Sequence, residues 1–254
     1  MNTDIAMIIP TYGQLDYAQQ SVESFFKYTD NGIAMVVDDA SPDWDDNLWK
    51  DFPEDRCIVH RFDKNGGLTR SWNWGLAKAK KFKAKYTVAG NSDILFTPGW
   101  DKGLRAAIDK GYDLVGPITN APGSTSKKGQ YIRTYIKDYE ITDDEEYNNA
   151  IAARLAEEQK DVIHEVGVNG FFMFSSTRKW WLHRFSDVCV FNPAKKLVGN
   201  EDEFQKRLRR RNGKIAVIPS SFIFHYRSVS RGFKKVAHNK GWYRKKDEYE
   251  ESNL

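Results

Sequence analysis

The chain has 254 residues, 40% hydrophobic and 29% charged, with 39 Lys plus Arg against 35 Asp plus Glu and a formal net charge of +4. These proportions belong to a globular chain long enough to bury a core without disulfides or structural metals, and they exclude a disordered or collagen-like one. So small an excess of cations does not by itself imply nucleic acid, whereas aromatics at 14% are enough to fill a core and to line a site for a ligand with apolar faces and polar edges.

From the N-terminus, the apolar run Ile5 to Ile9 is too short for a signal peptide or a spanning helix, and no stretch approaches the roughly 20 apolar residues a bilayer crossing needs. Cys57 and Cys189 stand alone without CxxC spacing, which predicts buried thiols in a reducing compartment. The expected location is cytoplasmic, with a form peripheral to a membrane left open.

IAMIIP (5–10) predicts a buried strand, and Gln14 to Tyr28 a helix with Leu15, Ala18, Val22 and Phe25 on one face. GIAMVVDD (32–39) and CIVHRF (57–62) read as further strands. Leu68 to Phe82 reads as a helix entered through Asn65-Gly66-Gly67. KYTVAG (85–90) is a fourth strand, Pro98 to Lys110 a helix, and YDLVGP (112–117) a fifth strand. Strand and helix alternating through short connections predict a mostly parallel sheet covered on both faces.

Residues 118–142, rich in Gly, Ser, Thr, Lys and Tyr, predict a long mobile loop. Asp143 to Asp161 predicts a helix with acids at its start, 165–176 a strand or hairpin edge, and Thr177 to Phe185 a short aromatic helix. Glu201 to Arg211 predicts a charged helix stopped by Asn212-Gly213, and 214–228 two strands broken at Pro219. The charged tail 233–254 is expected to be a solvated helix or frayed. With no repeat, linker or low-complexity tract, 1–254 reads as one domain.

Ligands of open parallel sheets bind beyond the carboxyl ends of the strands. There the sequence places Pro10-Thr11-Tyr12, Asp38-Asp39, Asn65-Gly66-Gly67 and Asn91-Ser92-Asp93. No GxGxxG follows the first strand and no GxxxxGK[ST] occurs, which argues against a dinucleotide dehydrogenase and a P-loop enzyme. A phosphate site built on carboxylates needs a divalent cation between the two, and Mg²⁺ and Mn²⁺ favour such oxygen ligands. Asp93, at the end of a buried strand, fits that role.

The ordered set PTYG, VVDDASPD, NGGLTRSWNWGL, NSDILFTPGW, VNGFFMF, GNEDEFQKRL and FHYRS resembles the family 2 glycosyltransferases over residues 5 to about 231. The resemblance implies an α/β GT-A fold, with a Rossmann-like, mostly parallel central sheet flanked by helices. A nucleotide-sugar-binding half (1–117) would precede an acceptor and catalytic half (118–232) and a charged tail (233–254). It implies inverting, metal-dependent transfer of a sugar from a nucleotide diphosphate donor (UDP-, GDP- or dTDP-sugar) to a glycan, glycolipid or glycoprotein.

By that resemblance Pro10, Thr11, Tyr12, Asp38 and Asp39 meet the nucleoside, and Asn65, Gly67, Arg70 and Asn73 line the nucleotide and diphosphate. Asn91, Ser92 and Asp93 occupy the place of the Asp-x-Asp metal motif, with Asn91 a departure from it, so Asp93 and His225 are the implied ligands of Mn²⁺ or Mg²⁺. Asp202 is the implied general base beside Glu201. Asn169, Gly170, Trp180 and Trp181 are the expected acceptor contacts, the tryptophans because a pyranose offers an apolar face. Arg227 and Arg231 are candidates to pair with the diphosphate.

Two other readings stand beside this one: a nucleotide-sugar-binding module without turnover, motivated by Asn91, and a nucleic-acid-binding protein using the run Arg207 to Arg211. The transferase reading expects no nucleic acid. It allows peripheral membrane contact through Lys234, Lys235, Trp242, Tyr243, Arg244, Lys245 and Lys246.

Overall fold

The computed structural model describes residues 3–122 and 129–226, and the backbone of 234–238 and 241–243. Its centre is a seven-stranded sheet ordered β3-β2-β1-β4-β7-β6-β8. The strands are β1 Ile5–Thr11, β2 Gly32–Asp38, β3 Cys57–Arg61, β4 Tyr86–Gly90, β6 Leu114–Ile118, β7 Phe172–Ser176 and β8 Ile215–Phe222. All run parallel except β7, which is antiparallel to both β4 and β6. Every residue of β1 is buried, which is why this strand reads as an unbroken apolar run and not an alternating one.

Successive side chains of a strand point to opposite faces, so the sheet feeds two cores. On one face Ala6, Ile8, Met35 and Val37 meet Trp72 and Leu76 of α2 (Leu68–Lys81), Trp180 of α5 (Thr177–Leu182) and Phe204 of α6 (Asn200–Arg210). On the other, Ile5, Met7, Ala34 and Val36 meet Val22 and Phe25 of α1 (Leu15–Lys27) and Leu104 of α3 (Lys102–Asp109). Helix α4 (Glu145–Glu158) opens on Asp144, whose carboxylate caps the Tyr147 N–H at 2.7 Å. A second, two-stranded sheet pairs β5 (Ile94–Leu95) with β9 (Phe224–His225), placing Ile94 opposite His225.

Several expectations are corrected. Pro219 does not break a strand: it lies within β8, which is an edge strand and can forgo the N–H that proline lacks. The predicted 118–142 loop is largely built into the body where it is described. Ile132, Ile136 and Tyr139 are buried, and Thr119 bridges Tyr131; residues 123–128 lie outside the described residues. The strand expected over 165–176 starts only at Phe172. In the tail, β10 (Lys234–His238) and β11 (Gly241–Tyr243) pair antiparallel where a helix or frayed end was expected. Cys57 is buried as expected, but Cys189 is partly exposed and bonded to Ser186.

Candidate functional site

Because β1, β2, β3, β4, β6 and β8 are parallel, their carboxyl ends share one edge, and the predicted motifs meet there. Thr11 pairs with Asp38 across β1 and β2, and the Asp39 N–H donates to the Thr11 carbonyl at 2.9 Å. Pro10 is buried within β1, while the Tyr12 side chain stands exposed at the edge.

The two adjacent acids have different work. Asp38 is fully buried, accepts from the Ser41 N–H and hydroxyl, and pairs with Arg61 at 3.3 Å. Asp39 turns to the next loop, where it accepts from the N–H groups of Gly66 (3.1 Å) and Gly67 (2.7 Å) and from the Arg70 guanidinium. Asn65 itself is exposed. Gly67 has φ 92°, and a Cβ there would lie 2.8 Å from the Lys196 carbonyl oxygen, so both its conformation and its crowding require glycine. The residues expected to line the donor are brought to one edge, where Asp39 holds Gly67 and Arg70 directly; Arg70 also lies over the Phe62 ring, 3.7 Å from its centroid.

The third group sits where β4 ends. Asn91 donates its N–H to the Phe171 carbonyl at 2.9 Å, and Ser92 and Asp93 follow, Ser92 half-buried and Asp93 buried. Across the β5–β9 pairing, His225 is buried with Nε2 at 3.2 Å from Asp93 Oδ1 and 3.2 Å from Asn91 Nδ2. Its Nδ1 lies 2.8 Å from the Ala121 carbonyl. A carbonyl only accepts, so Nδ1 carries a proton, and the other ring nitrogen, Nε2, is turned toward Asp93. Two such groups 3.2 Å apart can share a cation or, with the ring protonated, pair with each other. An imidazole fixed through its far nitrogen is also the usual posture of a metal ligand. The donor set therefore fits a divalent cation held by Asp93 and His225 with the remaining positions left to substrate oxygens and water. Among the described residues no three His, Cys, Asp or Glu side chains converge on such a site.

Two residues that shape this corner were not anticipated. Asn120 clamps the His225 backbone from both sides, accepting its N–H at 2.8 Å and donating to its carbonyl at 3.0 Å. Phe171 stacks on the His225 ring at 5.1 Å and 18°. The strand-end rule would have found Asn120: β6 is parallel to β4, so the residues after Ile118 lie at the same edge.

Asn169 and Gly170 are at this edge because Phe172, which follows them, pairs with Gly90. Gln130, fully buried, accepts the Asn169 N–H at 2.6 Å and donates to the Pro117 carbonyl at 2.8 Å. Helix α6 starts at the same place. Its preceding residue, Gly199, has φ 71°, and Asn200 donates to the Thr69 hydroxyl at 3.0 Å. The Glu201 side chain lies against Gly170, with its carboxyl carbon 3.2 Å from where a Cβ would be, and Asp202 is exposed.

Three expected site residues take other roles. In antiparallel β7, Ser176 pairs with Tyr86 at the start of β4, so α5 begins at the opposite edge. Trp180 is fully buried and donates to the Thr87 carbonyl, and Trp181 donates to the Leu76 carbonyl under Lys80; neither forms a wall of the site. Asn73 spends its carboxamide on the 190–191 backbone, accepting from Val190 and Phe191 and donating to the Phe191 carbonyl at 3.0 Å. Arg207 is likewise committed, to Glu203, the His183 carbonyl and the Val190 carbonyl. Arg227 and Arg231 lie outside the described residues.

Solved glycosyltransferases share this architecture. The structure of GalNAc-T7 with UDP, GalNAc and Mn²⁺ superposes with TM-score 0.61 at 14% identity, covering 88% of this chain and 44% of that one. S. aureus TarS 1-349 superposes with TM-score 0.58 at 17% identity, covering 88% of this chain and 60% of that one. At such identities the likeness is one of fold, and that fold is GT-A. In sequence, an uncharacterized glycosyltransferase of Rickettsia bellii (strain RML369-C) is 32% identical over 93 residues, which is 36% of this chain and 13% of that protein. The chain thus spans between 13% and 60% of the length of these relatives. The sequence model of glycosyl transferase family 2 matches residues 6–181, more than half of the chain, and the chain belongs to that family.

Proposed function

We propose that the chain, as one transferase unit over 1–254, moves a sugar from a nucleotide diphosphate donor to a hydroxyl of a glycan, glycolipid or glycoprotein, with inversion. The observation that carries this reading is the 3.2 Å approach of Asp93 to His225 Nε2, at the sheet edge where the first turn of α6 presents Glu201 and Asp202. Bound there, Mn²⁺ or Mg²⁺ would supply a positive charge to offset the one that develops on the departing diphosphate. Pro10, Thr11 and Tyr12 face the nucleoside, with Asp38, Asp39, Asn65, Gly67 and Arg70 shaping that side of the cleft.

The exposed carboxylate of Asp202 takes the proton of the acceptor hydroxyl as its oxygen attacks the anomeric carbon. The bond from that carbon to the diphosphate oxygen breaks on the opposite face, which inverts the centre. Glu201, Asn169 and Gly170 border the acceptor. UDP and Mn²⁺ are the first donor nucleotide and metal to test, because the GalNAc-T7 structure holds both. Among the described residues no helix is long and apolar enough to cross a membrane. The basic and aromatic tail remains the proposed peripheral membrane contact.

The test is hydrolysis and transfer with a panel of UDP-, GDP- and dTDP-sugars and Mn²⁺. Turnover with one of them is expected. Asp202→Asn should lower kcat by about 10²-fold or more, the usual contribution of a positioned base, while nucleotide affinity is kept. Binding without turnover in every acceptor mixture would favour an inactive module.

A further inference from the structure

At the sheet edge opposite the site, where β4, β6 and β8 begin, the surface is cationic. Helix α2 ends there with Lys80 and Lys81, and Lys83 and Lys85 lead into β4, all four exposed. Arg210 and Arg211 close α6 and Lys214 precedes β8, again exposed. Between these groups stands α5, which starts at this edge because Ser176 pairs with Tyr86 and the Thr177 N–H donates to the Lys85 carbonyl at 3.0 Å. Contacts join all three: Lys80 lies over the Trp181 ring, 4.3 Å from its centroid, and the Arg211 guanidinium donates to the Leu182 carbonyl at 3.1 Å.

Helix dipoles account for cations in the last turns of α2 and α6. They do not account for Arg178, exposed in the first turn of α5 where the dipole opposes it, nor for Lys83, Lys85 and Lys214, which lie outside the helices. A second observation is apolar: Leu182 is 54% exposed, Phe185 46% and Val188 80%. The turn that carries Val188 is held at its base, where the Phe185 and Ser186 N–H groups both donate to the Cys189 carbonyl at 3.1 and 3.0 Å, and Arg184 pairs with Asp187 at 2.8 Å. An apolar projection ringed by cations suits an anionic bilayer, whose headgroups meet the cations while the aliphatic side chains enter the acyl boundary. Nucleic acid would share the cations but offers nothing to Leu182 and Val188, because it is bound through phosphate contacts and base stacking. Acids gather at the other end of the sheet: residues 1–66, which supply β1, β2, β3 and α1, hold 13 Asp and Glu against 5 Lys and Arg. That separation of charge turns the basic end toward a negative surface.

We propose that this edge, with Val188 foremost and Leu182 and Phe185 beside it, docks the chain on an anionic lipid surface. The contact is separate from the tail and does not depend on the transferase reading. It also fixes an orientation. The five residues of β4 span ~16 Å at ~3.3 Å per residue. With this edge on the lipid, Asp93 and His225 stand beyond the far end of that strand, farther away than the ~8 Å screening length at physiological salt. An anionic ligand at the site is then not repelled by the membrane on which the chain sits.

The test is flotation of the full chain with vesicles of phosphatidylcholine alone and of equal parts phosphatidylcholine and phosphatidylserine. Binding to the anionic vesicles, weakened by added salt, is expected. Val188→Asp should weaken it by about tenfold or more, as for a buried valine returned to water, and Lys81→Glu combined with Arg178→Glu by a similar factor. All three side chains are exposed and a glutamate at 178 suits the dipole of α5, so the variants should keep the circular dichroism of the wild type. No binding, equal binding to neutral and anionic vesicles, or binding indifferent to either variant would overturn the docking edge. So would binding lost only with Lys245→Gln and Lys246→Gln in the tail, or salt-sensitive binding to duplex DNA in place of vesicles. Donor hydrolysis without vesicles should be unchanged in the variants; its absence in the wild type would count against the transferase reading alone.

Discussion

Asn120 shows how much of the Asp93–His225 corner rests on a residue outside the motifs that carry those two side chains. Its side-chain amide meets both backbone groups of His225, and the Ala121 carbonyl fixes the far ring nitrogen. His225 therefore holds one ring orientation, with Nε2 toward Asp93. Asn120→Ala should leave the fold intact and weaken Mn²⁺ binding by about tenfold, in the range for lost outer-sphere support; a calorimetric titration reads this directly. Asn91 has a related part. Its side-chain amide nitrogen lies 3.2 Å from the same ring nitrogen, so the residue that departs from Asp-x-Asp borders His225 directly.

At the scale of elements, loops and helix starts make the site and the sheet edge aligns them. Helix α2 meets the 190–198 segment twice. Asn73 fastens Val190 and Phe191, and Thr69 accepts from Asn200 while its N–H and hydroxyl reach the Lys196 and Lys195 carbonyls. Asn73→Ala would leave the Val190 and Phe191 N–H groups without their acceptor. It should cost about 2 kcal/mol of unfolding free energy, measured by urea denaturation. A change of nucleotide affinity without that loss would instead return Asn73 to the donor cleft.

The strands and main helices were legible because their apolar periods are strong, as in Ile5 to Ile9 or Leu15, Ala18, Val22 and Phe25. The strand ends carrying Asp39, Asn91 and Asp93 were legible for the same reason. What was hidden depended on direction. Trp180 and Trp181 follow an aromatic strand in sequence, but only the antiparallel sense of β7 reveals that they leave from the far edge. The Asn73 clip and the buried course of 129–139 depend on contacts distant in the chain, which no local pattern records.

For the molecule as a whole, the buried hydroxyl and thiol groups set a limit on the alkaline side. Burial pushes the Cys57 thiol and the Tyr135 phenol each up to about 12, and drives the Tyr139 and Tyr226 phenols upward too. The folded chain keeps these protons where the unfolded chain, with ordinary values of 9.0 for the thiol and 10.0 for the phenols, has lost them. Their contribution is thus fully present below about pH 9 and is lost as pH rises toward about 12, at up to about 1.4 kcal/mol per pH unit for each group. Urea midpoints should fall steadily from pH 9 to 11; a flat profile would show that these groups are solvated.

The transferase reading depends on Asp93 and His225 holding a cation that in turn holds a nucleoside diphosphate. The most direct measurement is calorimetric binding of whichever of UDP, GDP and dTDP the chain accepts, with and without Mn²⁺, in the wild type and in Asp93→Ala. The wild type should bind at least about tenfold more tightly with Mn²⁺, as oxygen-ligand sites completed by substrate phosphates require. Asp93→Ala should bind weakly under both conditions. Equal affinity with and without Mn²⁺ in the wild type, or a metal dependence that survives Asp93→Ala, would contradict it.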